Sequence, residues 1–141
     1  MKIAKEFTWE MGHRLSFHKG KCKNLHGHSY KCMIELTGDP DAKGMVMDYF
    51  DMKSIIDPIL DNLDHAFMVY ENDYEVIAAL EKLNSRKVVV DFETTAENIC
   101  LYLLKQIKSS ELPKNVKSVR VRVMETDNSY AEEEVQLNNN I

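Results

Sequence analysis

Four of the five histidines in this 141-residue chain, His13, His18, His26 and His28, fall within its first 28 residues, with Cys22 among them. Side chains two apart on a strand point to one face, so His26-Gly27-His28 presents two imidazoles side by side, with a glycine leaving room between them. His13 shares the odd parity of Phe7, Trp9 and Met11, and His26 and His28 share the even parity of Tyr30, Cys32 and Ile34. If residues 14 to 25 join the two strands as a hairpin, the three imidazoles meet at one end, on the apolar face. Three imidazoles with an open fourth position form the ligand set of a catalytic zinc site. The competing reading makes His-Gly-His a polar turn and His13 a core histidine; the matched parity favours the ligand set.

Cys22 lies four residues before His26, in Lys19-Gly20-Lys21-Cys22-Lys23. The flanking ammonium groups favour a thiolate. Two roles stay open: a fourth ligand closing a structural zinc site, or a general base beside an open one. Cys32 and Cys100 fall on the apolar faces of a strand and a helix and are expected in the core. Asp64-His65 follows a helical stretch, where a carboxylate orienting an imidazole makes a proton-transfer pair. The same dipeptide also suits a plain helix C-terminus, where histidine favours the dipole. Glu125 continues the odd parity of Val119, Val121 and Val123, placing a carboxylate on an inward face where it requires a donor or cationic partner. Glu97 has a local explanation in Thr94-Thr95-Ala96-Glu97, which has the form of a capping box.

The elements that must position these groups follow from periodicity. Alternation marks strands at about residues 3–13 and 26–36, and Thr37-Gly38-Asp39-Pro40 ends the second. Met52, Ile55, Ile56, Ile59, Leu60 and Leu63 define a helix capped by Asp48 or Asp51, with a kink or restart expected at Pro58. A weaker helix spans residues 71 to 84, and a short β-branched run lies at Lys87 to Phe92. Ala96, Ile99, Cys100, Leu103 and Ile107 define the clearest helix. Val119, Val121 and Val123 alternate in a further strand, followed by one through Tyr130 to Leu137. Strand pairs separated by helices indicate an α+β domain, an antiparallel sheet with helices on one face.

Composition bounds the function. The chain is 44% apolar, has a net charge of −5 and contains no run approaching a membrane span, so a single soluble domain over residues 1–141 and a cytoplasmic location are expected. An acidic balance without a Lys/Arg cluster argues against a nucleic-acid partner. Three scattered cysteines exclude a disulfide framework. The asparagine run near the C-terminus reads as a frayed end.

His13, Cys22-x-x-x-His26-Gly27-His28, Asp64-His65 and Glu125-Thr126 together resemble the 6-pyruvoyl-tetrahydropterin synthase family, over about Phe7 to Tyr130. The four-residue Cys-to-His step is similar to its branch of 6-carboxy-5,6,7,8-tetrahydropterin synthases of queuosine biosynthesis. The resemblance implies the tunnelling fold: a four-stranded antiparallel sheet with two main helices on one face, assembled into barrels, usually homo-hexamers (dimers of trimers) with sites between subunits. It implies Zn2+ on His13, His26 and His28, Cys22 as proton acceptor, Asp64 and His65 as its relay partners, and Glu125 as the pterin anchor. It further implies a contact from Thr95 to the pterin through hydroxyl or backbone groups. The implied substrate is 7,8-dihydroneopterin triphosphate. A pyruvoyl-forming synthase or a dihydroneopterin side-chain lyase is the alternative within the enzyme class, and a non-catalytic binding protein with a closed zinc site the alternative outside it. The sequence departs from the family at Met11-Gly12, where small residues such as Ala-Ala are usual, at Thr94, often proline, and in a longer stretch from Glu71 to Asp91.

Overall fold

The computed structural model describes residues 1–137; the asparagine run expected to fray lies outside them. Strand β1 (Lys2–His13) and strand β2 (His26–Gly38) pair antiparallel, with Phe7 opposite Cys32, Trp9 opposite Tyr30, Met11 opposite His28 and His13 opposite His26. Both inward parities therefore fall on one face, and Trp9 and Tyr30 stack with ring centroids 5.0 Å apart. Lys5, which interrupts the alternation of β1, lies over the ring of Phe7.

Helix α1 (Tyr49–Asp61) is capped by Asp48, whose side chain accepts from the Phe50 N–H at 2.7 Å, and it runs unbroken through Pro58 without restarting. Strand β3 (Ala66–Tyr70), helix α2 (Tyr74–Lys82) and strand β4 (Lys87–Val90) then form a parallel β-α-β unit. Helix α3 (Ala96–Lys108) leads to strand β5 (Val116–Met124) and the edge strand β6 (Ala131–Gln136).

The expected four-stranded antiparallel sheet is thus part of a larger one. Six strands run in the order β4-β3-β1-β2-β5-β6, and β3 joins β1 in parallel through Met11 and Gly12. A five-residue strand entered directly from a helix turn has too few alternations to announce itself, which is why β3 escapes periodicity. Helices α1 and α3 cover the face carrying Phe7, Trp9, Tyr30, Ile34, Met68, Val119 and Val121. The third helix, α2, packs Val76 and Leu80 against Phe67 and Val69, the opposite parity of β3, so it lies on the other side of the sheet. Burying each such apolar side chain contributes about 2 kcal/mol.

Candidate active site

The open end of the β1/β2 hairpin brings the three histidines together. His13 is fully buried, and the possible ligand atoms of His13, His26 and His28 all lie within 4.8 Å of one another. His13 Nδ1 lies 2.7 Å from the Thr94 carbonyl and His26 Nδ1 lies 2.7 Å from the Asn24 carbonyl. A carbonyl only accepts, so each Nδ1 carries the proton and each Nε2 presents a lone pair. The Nε2 atoms of all three histidines are buried without a hydrogen-bond partner. Unpaired buried nitrogens are costly unless a ligand satisfies them, and three that converge fit a metal ion. Burial lowers His13 to a pKa of about 4, and burial followed by the neighbouring His26 lowers His28, so both favour the neutral, ligating imidazole.

Gly27 does not separate the imidazoles, as the sequence suggested. It faces the other side, opposite Gly12, where an added Cβ would stand 3.0 Å from the Met11 carbonyl. At Gly12 the Phe67 ring would meet a Cβ at 2.7 Å. These two glycines let β3 and the hairpin strands pack closely behind the three histidines.

Glu125 lies one residue beyond β5, its carboxylate 3.8 Å from His13 Nε2 and 3.9 Å from His28 Nε2. The buried Tyr30 hydroxyl donates to it over a long 3.4 Å. Burial raises the Glu125 pKa, with the Tyr30 hydrogen bond opposing. Glu125 and Thr95 line one cavity of about 380 Å³ together with Leu15, Phe17 and Tyr130.

Cys22 lies in a short 3₁₀ turn, Lys21–Lys23, and is partly exposed. Among the described residues no cysteine or carboxylate joins the three histidines as a ligand group. The loop is tied across its base by the Leu15 N–H donating to the Cys22 carbonyl at 2.8 Å. Cys32 and Cys100 are core residues, their thiols pushed by burial to about 12 and about 11.

Asp64 and His65 occupy the turn after α1, where His65 adopts a positive φ of 58°. Asp64 accepts the Glu10 N–H at 2.8 Å and contacts His65 Nδ1 at 3.0 Å, and these two interactions hold its carboxyl below the usual range. Neither residue belongs to the histidine group of its own chain. His65 is 75% exposed and borders a groove of about 440 Å³ walled by Glu10, Gly12, Gly27, Ser29 and Phe67, residues of the parity opposite to His13, with Met11, His28 and Ala66 also reaching its wall.

The model of the 6-pyruvoyl tetrahydropterin synthase family matches residues 2–136. The chain belongs to that family. It is similar to the 6-carboxy-5,6,7,8-tetrahydropterin synthases of Haemophilus influenzae (41% identity; 93% of this chain, 96% of the relative) and Aquifex aeolicus (33% identity, the same shares). The 6-pyruvoyl tetrahydropterin synthase structure from Plasmodium vivax superposes with a TM-score of 0.78 at 23% identity, covering 96% of this chain and 98% of that one. That likeness extends to the fold.

For a member of the 6-pyruvoyl tetrahydropterin synthase family, the structure also identifies supports that the sequence did not reveal. The Thr94 and Asn24 carbonyls are main-chain groups and leave no side-chain signature. The Tyr30 hydroxyl was legible only as a core aromatic on the ligand parity. The capping box does not form: Thr95, not Thr94, caps α3 by accepting from the Asn98 N–H at 3.3 Å. Thr94 is instead buried against His13, and Glu97 becomes an ordinary first-turn acid.

Proposed function

We propose that this chain is a zinc-dependent enzyme that converts 7,8-dihydroneopterin triphosphate and one water molecule to 6-carboxy-5,6,7,8-tetrahydropterin, releasing acetaldehyde and triphosphate, in queuosine biosynthesis. The observation that carries this reading is the convergence of three partnerless imidazole nitrogens beside the Glu125 carboxylate. The names of the bacterial relatives support the carboxy-forming product. His13, His26 and His28 would hold zinc, which supplies Lewis acidity to the substrate's side-chain hydroxyls.

Glu125 accepts hydrogen bonds from the pterin amino and ring N–H groups, a donor pair that a carboxylate matches bidentately. Tyr30, donating from below, orients that carboxylate. Thr95 accepts the Asn98 N–H and keeps its own O–H free to donate into the cavity. Cys22 takes a proton from a side-chain carbon as thiolate, and its separation from the imidazole group favours a base over a fourth ligand. Asp64 fixes His65 through Nδ1, leaving Nε2 to exchange a proton with substrate. Because that pair projects from the opposite side of the hairpin, it serves the site of a neighbouring subunit, in a cytoplasmic homo-hexamer with sites at its interfaces.

The test is incubation of the zinc-loaded protein with 7,8-dihydroneopterin triphosphate, with acetaldehyde and pterin products followed by mass spectrometry. Acetaldehyde and a carboxypterin in equal amounts are expected. A pyruvoyl product would move the reaction to the sister activity, and an unaltered pterin would overturn the enzyme reading.

A further inference from the structure

Charge is segregated along this chain. Residues 11–34 carry Arg14, Lys19, Lys21, Lys23 and Lys31 and no carboxylate, in a protein whose net charge is −5. Two of these cations are neutralised. Arg14 forms a bidentate pair with Asp73 at 2.6 and 2.7 Å, and Lys31 reaches Asp127 at 3.0 Å. Among the described residues Lys19, Lys21 and Lys23 have no ion-pair partner, and all three are exposed. An acidic protein with carboxylates to spare thus leaves three neighbouring ammonium groups unneutralised, around Cys22.

The loop that carries them is internally knit. The Gly20 N–H donates to His18 Nδ1 at 2.9 Å, the His18 N–H to the Leu15 carbonyl at 2.9 Å, and the Asn24 N–H and side-chain amide both donate to the Lys21 carbonyl at 3.0 Å. Its ends are His13 and His26, and its Leu15, Phe17 and His18 border the cavity that holds Glu125.

We propose that Lys19, Lys21 and Lys23 bind the phosphate tail of the substrate at the rim of this cavity. The inference rests on the pterin triphosphate reading above and assigns the other end of the molecule. With the ring held at Glu125, a tail leaving the cavity past Leu15, Phe17 and His18 follows a loop that continues into the three lysines and carries no carboxylate, whereas Glu97 borders the α3 side. Lysine suits the task. Its ammonium is a mobile point charge that attracts a polyanion without the fixed fork of arginine, so triphosphate can depart once its bond to carbon is broken. The same charges favour the anion that accumulates on the leaving group.

The test compares the zinc-loaded wild type with a Lys19→Gln, Lys21→Gln, Lys23→Gln triple variant and with the triple Lys→Arg variant. Zinc content and thermal unfolding are checked first, to confirm that each variant is folded. KM for 7,8-dihydroneopterin triphosphate is measured together with the inhibition constants of inorganic triphosphate and of neopterin, which lacks the tail. The expected result for the Gln variant is at least about a tenfold rise in KM and in the triphosphate inhibition constant, with inhibition by neopterin unchanged. The Arg variant restores triphosphate binding, and raising the salt concentration weakens it in the wild type. Unchanged KM and unchanged triphosphate inhibition in the Gln variant would overturn the proposal. Calorimetric binding of inorganic triphosphate reads the lysine cluster without turnover. A wild type that binds triphosphate through these lysines but leaves the pterin unaltered would therefore sink the enzymatic reading and not the anion site.

Discussion

His13 and Thr94 stand 81 residues apart in the chain, and the Nδ1–H of the first donates to the main-chain carbonyl of the second at 2.7 Å. The Thr94 hydroxyl lies 3.3 Å both from the same nitrogen and from the Arg14 carbonyl. The residue that precedes α3's cap therefore fixes the tautomer of His13 at the end of β1, and it does so through the backbone.

Replacing Thr94 with valine keeps that carbonyl and removes the hydroxyl. The expected cost is about 1 kcal/mol of stability, from one lost buried hydrogen bond. Metal content, measured by elemental analysis, should stay at the wild-type level. Loss of the metal would mean that the hydroxyl, not the carbonyl, orients His13.

His13 gives the metal-free protein a pH dependence of definite sign. Its folded-state pKa of about 4 lies below the ordinary 6.5, so between these values the unfolded chain binds the extra proton. Stability is complete above pH 6.5 and falls by roughly 3 kcal/mol as the pH drops to 4. Glu125, raised by burial, acts in the opposite sense, so the Glu125→Gln background isolates the histidine contribution. Urea unfolding of chelator-treated protein between pH 7.5 and 4.5 checks this; a flat profile in that background would contradict the burial argument.

Glu125→Gln offers one acceptor and one donor where the pterin edge offers two donors. Loss of a charge-assisted pair of about 3 kcal/mol corresponds to an increase of about 100-fold in KM. Zinc content should be unaffected, because the carboxylate lies 3.8 and 3.9 Å from the nearest imidazole nitrogens. Steady-state kinetics with the triphosphate substrate, alongside metal analysis, separate the two effects.

Cys22→Ala should retain zinc and lose turnover by about 10²-fold or more, the usual weight of a general base. His65→Ala should do the same. If Cys22 and His65 reach one site from two subunits, randomly mixed oligomers of the two inactive variants contain intact sites. About a quarter of wild-type activity should then return after unfolding and refolding the mixture. Absence of any recovery in properly assembled mixtures would place both residues in the same chain's site.

Much of the site was legible because it is local. His26-Gly27-His28 and the parity of His13 are read directly from a period of two, and the register His13 opposite His26 follows once the hairpin forms. The inward parity of Glu125 likewise survives into the fold, one residue past its strand. Thr94-x-x-Glu97 misled for a physical reason: two adjacent threonines offer two cap positions, and burial of the first against His13 decides for the second. The strand at Ala66–Tyr70 and the parallel unit it founds depend on pairing with β1, which no local pattern encodes.

The sequence by itself thus determined that His13, His26 and His28 share one end of one face, that Cys32 and Cys100 are core thiols and that Glu125 points inward, because alternation fixes which side chains share a face. Only the tertiary structure decided which backbone carbonyls hold the imidazoles, that Gly12 and Gly27 serve strand packing, and that Asp64-His65 is anchored on Glu10 outside the histidine group. Those outcomes rest on contacts between segments tens of residues apart, where the position of one element against another selects among local options that the sequence leaves equal.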